Sequence, residues 1–255
     1  MEIQSNKNIV ELFYRKVIGD RDLEVIEELV SEDYIQHSPM TRDGKSGLIE
    51  AITYLKTFPK PAETKSPIVR IIEDGELVMA FLDLAWMGKK MAVVDIFRIK
   101  QGKLCEHWDV IQEQPEEVPN SSSITMVNGG TELNALELTV EHKAFIIKCF
   151  QSVFVERKLD LFDNFFSDEL VNHLPESFSE NKDLVNYLSE NGIEFSDFFK
   201  VLCQGNYTGV QSKGKRKQKP FVFNFIFRLE GKKIKEIWGV SQEIPEDMLH
   251  QNGMI

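Results

Sequence analysis

Cysteine is scarce in these 255 residues: Cys105, Cys149 and Cys203 are odd in number, far apart and in no CxxC pair. Neither a disulfide framework nor a zinc knuckle is expected, and reduced thiols are. Positive charge is short as well, with 30 Lys and Arg against 41 Asp and Glu and a net charge of −11. That balance disfavours attachment to nucleic acid or to an anionic membrane. Long apolar runs are missing. The best, Leu77–Met87, is interrupted by Asp83 and falls short of the ~18 residues a membrane helix needs. The opening MEIQSNKNIVELFYRK has no basic region leading into an apolar one, so no secretory signal is expected. Together these absences point to a cytoplasmic protein with neither nucleic acid nor membrane as partner.

What is present is a core. The hydrophobic fraction is 42%, with 18 Phe, enough for one large domain or two ordinary ones. An internal repeat decides between them. Shifted by 136, YIQHSP (Tyr34–Pro39) falls on LVNHLP (Leu170–Pro175), in an ungapped match from about Ile9/Phe145 to Ile52/Leu188. Shifted by 130, Val94–Glu117 falls on Asn224–Asp247 with 11 of 24 positions identical, far above chance. Between the copies lies VPNSSSITMVNGGTELN, rich in Ser, Asn and Gly, which reads as a linker. The expected organisation is a domain over 1–117, a linker over 118–134 and a second domain over 135–255.

Within the first copy, Ile9, Leu12, Phe13, Lys16 and Val17 lie near helical spacing, as do Leu23, Ile26 and Leu29–Val30, and Gly47–Leu55 adds a third helix. From Ile68 the pattern turns to strands: IVRII, ELVMAFLDLAWM, KMAVVDIFRI and LCEHWDVIQ, with Gly75, Gly88 and Gly102 at the turns. Helices first and strands last predict α+β. Each domain is expected as a cone-shaped α+β barrel, a curved antiparallel sheet wrapped around N-terminal helices with a cavity between. The basic run Lys213–Lys219 reads as a solvated hairpin tip.

YIQHSP, VVDIFRI and GKLCEHWDVIQEQPEE resemble the SnoaL-like polyketide cyclase family, in the nuclear-transport-factor-2-like superfamily of cystatin-like folds. The resemblance covers nearly all of the first copy and, more weakly, the second. It implies a deep, mostly apolar pocket and acid–base chemistry on a carbonyl compound, with no cofactor and no metal; an aldol-type or cyclising step is typical. In similar steroid isomerases the D-x-F-R strand supplies an acidic donor to an enolate, which falls on Asp95. Their first-helix tyrosine falls on Tyr14, and their catalytic base lies close to His37. The late acid/base aspartate of SnoaL-like cyclases matches Asp109. Such folds often pair through their sheets, so the resemblance also implies a pseudo-dimer within the chain or a homodimer.

Side chains alternate along a strand, so His107 and Asp109 share one face and Trp108 and Val110 the other. A three-residue loop about Gly102 sets Asp95 opposite Asp109; a two-residue loop sets it opposite Trp108 and separates the carboxylates. The second copy serves as a control. Ile96, Arg98, Trp108, Val110 and Gln112 recur, whereas Asp95, His107, Asp109 and Tyr14 become Phe225, Ile237, Gly239 and Phe150. Only His37 keeps a counterpart, His173. Two carboxylates facing one apolar pocket are expected to share a proton, one as base and one as donor to an enolate, with His37 or His107 orienting substrate or relaying the proton. Other readings stand beside this one: structural hydrogen bonds for the aspartates, a turn or cap role for His37, packing for Tyr14, and a metal held by His107-x-Asp109 with Asp95 and His37. At the level of the chain, the alternative is a non-catalytic protein that binds an apolar ligand or dimerises.

Overall fold

The computed structural model describes residues 5–60, 65–116, 123–175, 179–180 and 184–255. By its contacts the chain forms two units. Unit one comprises Met1–Leu82, Asp95–Asp109 and Pro245–Ile255, and unit two comprises Asp83–Val94 and Val110–Ile244.

In unit one, α1 (Asn6–Leu12) runs without a break into a π-helical segment, Phe13–Gly19. There the amide of Asp20 reaches back five residues to the Arg15 carbonyl, at 2.9 Å. Ile9, Val10, Phe13, Tyr14 and Val17 are buried along one side of this continuous helix, as the spacing of apolar residues predicts. Next come α2 (Glu24–Leu29), β1 (Val30–Gln36) and α3 (Gly44–Leu55). Strands β2 (Ile68–Asp74), β3 (Leu77–Trp86), β4 (Lys89–Lys100) and β5 (Lys103–Glu113) complete the first copy. The stretches Asp83–Val94 and 110–113 of β3, β4 and β5 are counted with unit two. The sheet order is β1-β5-β4-β3-β2.

The second copy repeats the plan. Its α4 (Thr139–Cys149) also continues into a π segment, Phe150–Val155. Then come α5 (Phe162–Phe165), β6 (Phe166–Asn172), β7 (Ser179–Glu180), α6 (Leu184–Glu190) and the long strands β8 (Ile193–Gln204), β9 (Tyr207–Arg216), β10 (Lys219–Glu230) and β11 (Lys233–Glu243). The order β7-β6-β11-β10-β9-β8 is that of the first sheet with one short strand added. The chain is thus α+β, two tandem sheets each preceded by helices. The basic run is shared between β9 and β10, and its tip is Lys217–Gln218, both at positive φ.

Two features go beyond the sequence reading. Each sheet gains a strand, β1 or β6, which pairs parallel to the last strand of its copy, so the sheets are mixed. The segment VSEDYIQ buries only Val30, Tyr34 and Gln36, too few positions to show a period of two. The second feature is the β4–β5 register. The turn has two residues, Gln101 and Gly102, both at positive φ, which by itself would place Asp95 opposite Trp108. In the second copy the same turn pairs Glu230 with Lys233 and Leu229 with Ile234; a bulge then shifts the ladder by one, pairing Arg228 with Glu236 and Phe225 with Gly239. Contacts in unit one follow that shifted register: Arg98 Nε donates to Glu106 at 2.7 Å, and the Phe97 and His107 rings stack at 4.6 Å. A two-residue turn plus one bulged residue thereby sets Asp95 and Asp109 on the same face.

Candidate active site

Four elements of unit one deliver polar side chains to one buried group. The π segment carries Tyr14, β4 carries Asp95, β5 carries His107 and Asp109, and β1 with its continuation carries Tyr34, Gln36 and Ser38. The Tyr14 hydroxyl donates to Asp95 Oδ2. On the other side of the same carboxylate, His107 Nε2 lies 3.6 Å from Asp95 Oδ1, an electrostatic contact beyond ordinary hydrogen-bond length. The His107 ring is held from behind, its Nδ1 3.0 Å from Gln36 Oε1. The nearby Ser38 hydroxyl favours the ionised form of Asp109, while Asp109 Oδ1 is sealed from solvent with no hydrogen-bond partner.

These surroundings move the titrations apart. Burial raises Asp109 to about 6; the neighbouring Asp95 charge adds to this, and His107 opposes it. For His107 burial works against the imidazolium, but the adjoining Asp95 and then Asp109 outweigh it and the net shift is upward. Burial, followed by the Asp95 charge, raises Tyr14 well above the usual phenol value, so it remains a donor. Tyr34 is raised too, by burial and then by Asp109 and Asp95. A carboxyl that titrates near neutrality beside a histidine–carboxylate pair is suited to moving protons.

Of the five residues singled out from sequence, Tyr14, Asp95, His107 and Asp109 come together. His37 does not. Its neighbours Gln36 and Ser38 face the group, so strand parity turns His37 to the opposite side, where it stacks on Trp108 at 4.8 Å. There Nδ1 lies 2.9 Å from the Gly253 carbonyl and Nε2 lies 3.0 Å from Glu106 Oε1. Unit two builds the same cluster around His173, stacked on Trp238 at 4.8 Å with Nδ1 2.8 Å from the Thr125 carbonyl. Arg228 bonds Glu236, as Arg98 bonds Glu106. This arrangement recurs whether or not the polar group exists.

Sequence reasoning missed Tyr34, Gln36 and Ser38. The signal lay in the repeat: YIQHSP over LVNHLP turns Tyr34 into Leu170 and Ser38 into Leu174, the polar-to-apolar change already seen at 14, 95, 107 and 109. In unit two Phe150, Phe225, Ile237, Leu170 and Leu174 all belong to a phenylalanine-rich core. A Cβ added at Gly239 would lie 2.4 Å from Leu174 Cδ2 and 3.0 Å from Phe225 Cδ1. The Asp109 position is therefore filled by neighbouring side chains. Cavities in that core measure about 10 Å³, room for roughly one water. Among the described residues, no three or more His, Cys, Asp or Glu side chains are grouped as a metal ion would require, and no helix is long and apolar enough to cross a membrane.

Residues 10–107 match the family model of the SnoaL-like domain, in agreement with the resemblance carried by YIQHSP and the D-x-F-R strand. No curated protein matches the chain. Among solved structures, IdmH, a candidate polyketide cyclase from Streptomyces antibioticus, is 19% identical over 42% of this chain and 91% of its own, with a TM-score of 0.33. A candidate ketosteroid isomerase from Kribbella flavida DSM 17836 is 13% identical over 43% and 83%, with a TM-score of 0.37. A protein of unknown function with a cystatin-like fold from Xanthomonas campestris is 14% identical over 40% and 91%, with a TM-score of 0.33.

Proposed function

We propose that the first repeat is a small-molecule enzyme that moves a proton beside a carbonyl group, leading to isomerisation or to an aldol-type condensation or cyclisation. The observation that carries this reading is the arrangement of Asp109, raised to about 6, beside an Asp95 held between Tyr14 and His107. Asp109 takes the proton from the carbon next to the carbonyl. The electron pair of that C–H bond moves to the carbonyl oxygen. As charge develops, that oxygen meets the Tyr14 hydroxyl and the Nε2–H of a charged His107, Asp95 being the carboxylate that orients both. The enolate then accepts a proton at another carbon or attacks a second carbonyl, and Asp109 returns its proton. No cofactor enters these steps, and the ligand is a carbonyl compound of mainly apolar character. The repeats are taken as 1–117 and 135–255, joined by 118–134, and the second serves as scaffold because its equivalent site is filled with phenylalanine and leucine.

Proton exchange tests this without knowledge of the natural substrate. Alicyclic and aromatic β-diketones that raise the melting temperature are incubated in D2O and followed by NMR. The wild type is expected to accelerate exchange at the activated carbon, and Asp109→Asn to lose ~10²–10⁴-fold of that acceleration. Equal rates for the two proteins would remove the proposal.

A further inference from the structure

We propose that Gln36 is a positioning residue that fixes the tautomer of His107 and so decides which face of the imidazole meets Asp95. The acid–base role of His107 rests on the function proposed above; the tautomer assignment does not.

The argument begins with donors that cannot be reversed. A backbone N–H only donates, and the amides of His37 and Ser38 both point at Gln36 Oε1, at 3.0 and 2.9 Å. That atom is therefore the carbonyl oxygen, and the usual ambiguity between amide O and N is removed. Its partner Nε2 donates to the Tyr34 hydroxyl at 3.3 Å. The same Oε1 lies 3.0 Å from His107 Nδ1, so Nδ1 must carry a hydrogen. When the ring is neutral, Nε2 is then an unprotonated base facing Asp95 Oδ1 at 3.6 Å. When the ring is charged, Nδ1–H bonds Gln36 and Nε2–H faces the Asp95 carboxylate as an electrostatic partner. Gln36 thus turns His107 into a group that gains or releases its titrating proton only on the Asp95 side.

The second copy shows what the same position does without a histidine. Asn172 stands for Gln36, and its Oδ1 accepts from the Leu174 amide at 3.0 Å, as Gln36 Oε1 accepts from Ser38. The short side chain suffices to tie the chain after the strand. The residue across from it is Ile237, which asks for no acceptor. Where a histidine sits opposite, as His107 does opposite Gln36, the side chain is one methylene longer and reaches a third donor. A purely structural role for position 36 would be met by asparagine in both copies.

The charged and titratable groups around His107 are Asp95 from β4, Asp109 on its own strand, Tyr14 from the π segment and Tyr34 from β1. His250, in the C-terminal segment, acts on Asp109. Long-range ¹⁵N NMR of the imidazole reads the outcome. In the full-length wild type, the neutral ring is expected in the Nδ1–H form. Gln36→Asn, which retains the chain tie seen at Asn172, is expected to release the ring to the Nε2–H form and to lower its titration midpoint by about one pH unit. Gln36→Glu keeps an acceptor for all three donors and adds a charge, so the midpoint is expected to rise. An Nε2–H ring in the wild type, or the same tautomer and midpoint in Gln36→Asn and the wild type, would overturn the inference. Because the ring responds whether or not a ketone is turned over, failure of the exchange assay would remove the function and leave this assignment standing.

Discussion

Asp109 is a residue that costs the fold something at neutral pH. A carboxyl whose folded-state value lies at about 6 binds its proton more tightly in the native chain than in the unfolded one. Between the unfolded value near 4 and about 6 the native state holds the extra proton, so stability falls as pH rises through that window. The loss is at most about 3 kcal/mol by pH 7. His107 has the same sign. Its raised value stabilises the fold below the unfolded histidine range, and that contribution fades as pH rises through the folded value. Both groups therefore predict a higher melting temperature at pH 5 than at pH 8. Asp109→Asn removes the first effect, since a neutral amide has nothing to ionise. The variant is expected to melt higher than wild type at pH 7 and to show a flatter pH dependence, measured by calorimetry. A variant no more stable than wild type at pH 7 would contradict the burial of this carboxyl.

Strands and turns decide which residues meet, and sequence exposes these devices unevenly. The four strands from Ile68 onward were legible because apolar residues and turn glycines mark them, and the shared face of His107 and Asp109 followed from parity alone. The one-residue shift that brings Asp95 opposite Asp109 was not legible, because a bulge at Cys105 or Lys235 has no side-chain signature. The strand β1 was hidden for a different reason. Its buried positions are few, and without a strand there no parity could be assigned to Tyr34, Gln36 and Ser38 or withdrawn from His37. The π segment behind Tyr14 and Phe150 is likewise invisible to helical spacing. The second copy offers a test of how completely its equivalent site is filled. Gly239→Ala must push Leu174 or Phe225 aside within a packed core, and is expected to cost about 1–3 kcal/mol. A melting temperature unchanged by this substitution would show a void where close contact is described.

At the scale of the molecule, unit one includes the last residues of the chain. Leu249 donates to the Pro39 carbonyl at 3.3 Å, His250 to the Ser38 carbonyl at 2.8 Å and Asn252 to the Gln36 carbonyl at 3.0 Å. Gly253 meets His37, and Met254 is buried. Ending the chain after Glu243 removes all of these. By the usual worth of a hydrogen bond and of a buried methionine, the expected loss is about 3–7 kcal/mol from unit one. Hydrogen exchange is expected to quicken at residues 36–39 and 106–108 while amides around Trp238 keep their protection. Undiminished protection at 36–39 would show the terminal segment to be dispensable.

That terminal segment also sets an order of events during synthesis. The segment bearing Gln36 and Ser38 leaves the ribosome ahead of the whole second copy, but the carbonyl that receives His37 belongs to Gly253 and is made 216 residues later. A nascent chain can build most of the second copy before the first is complete. The half translated first is the half finished last, and a polypeptide stalled before Pro245 would carry Tyr14, Asp95, His107 and Asp109 without the segment that ties residues 36–39.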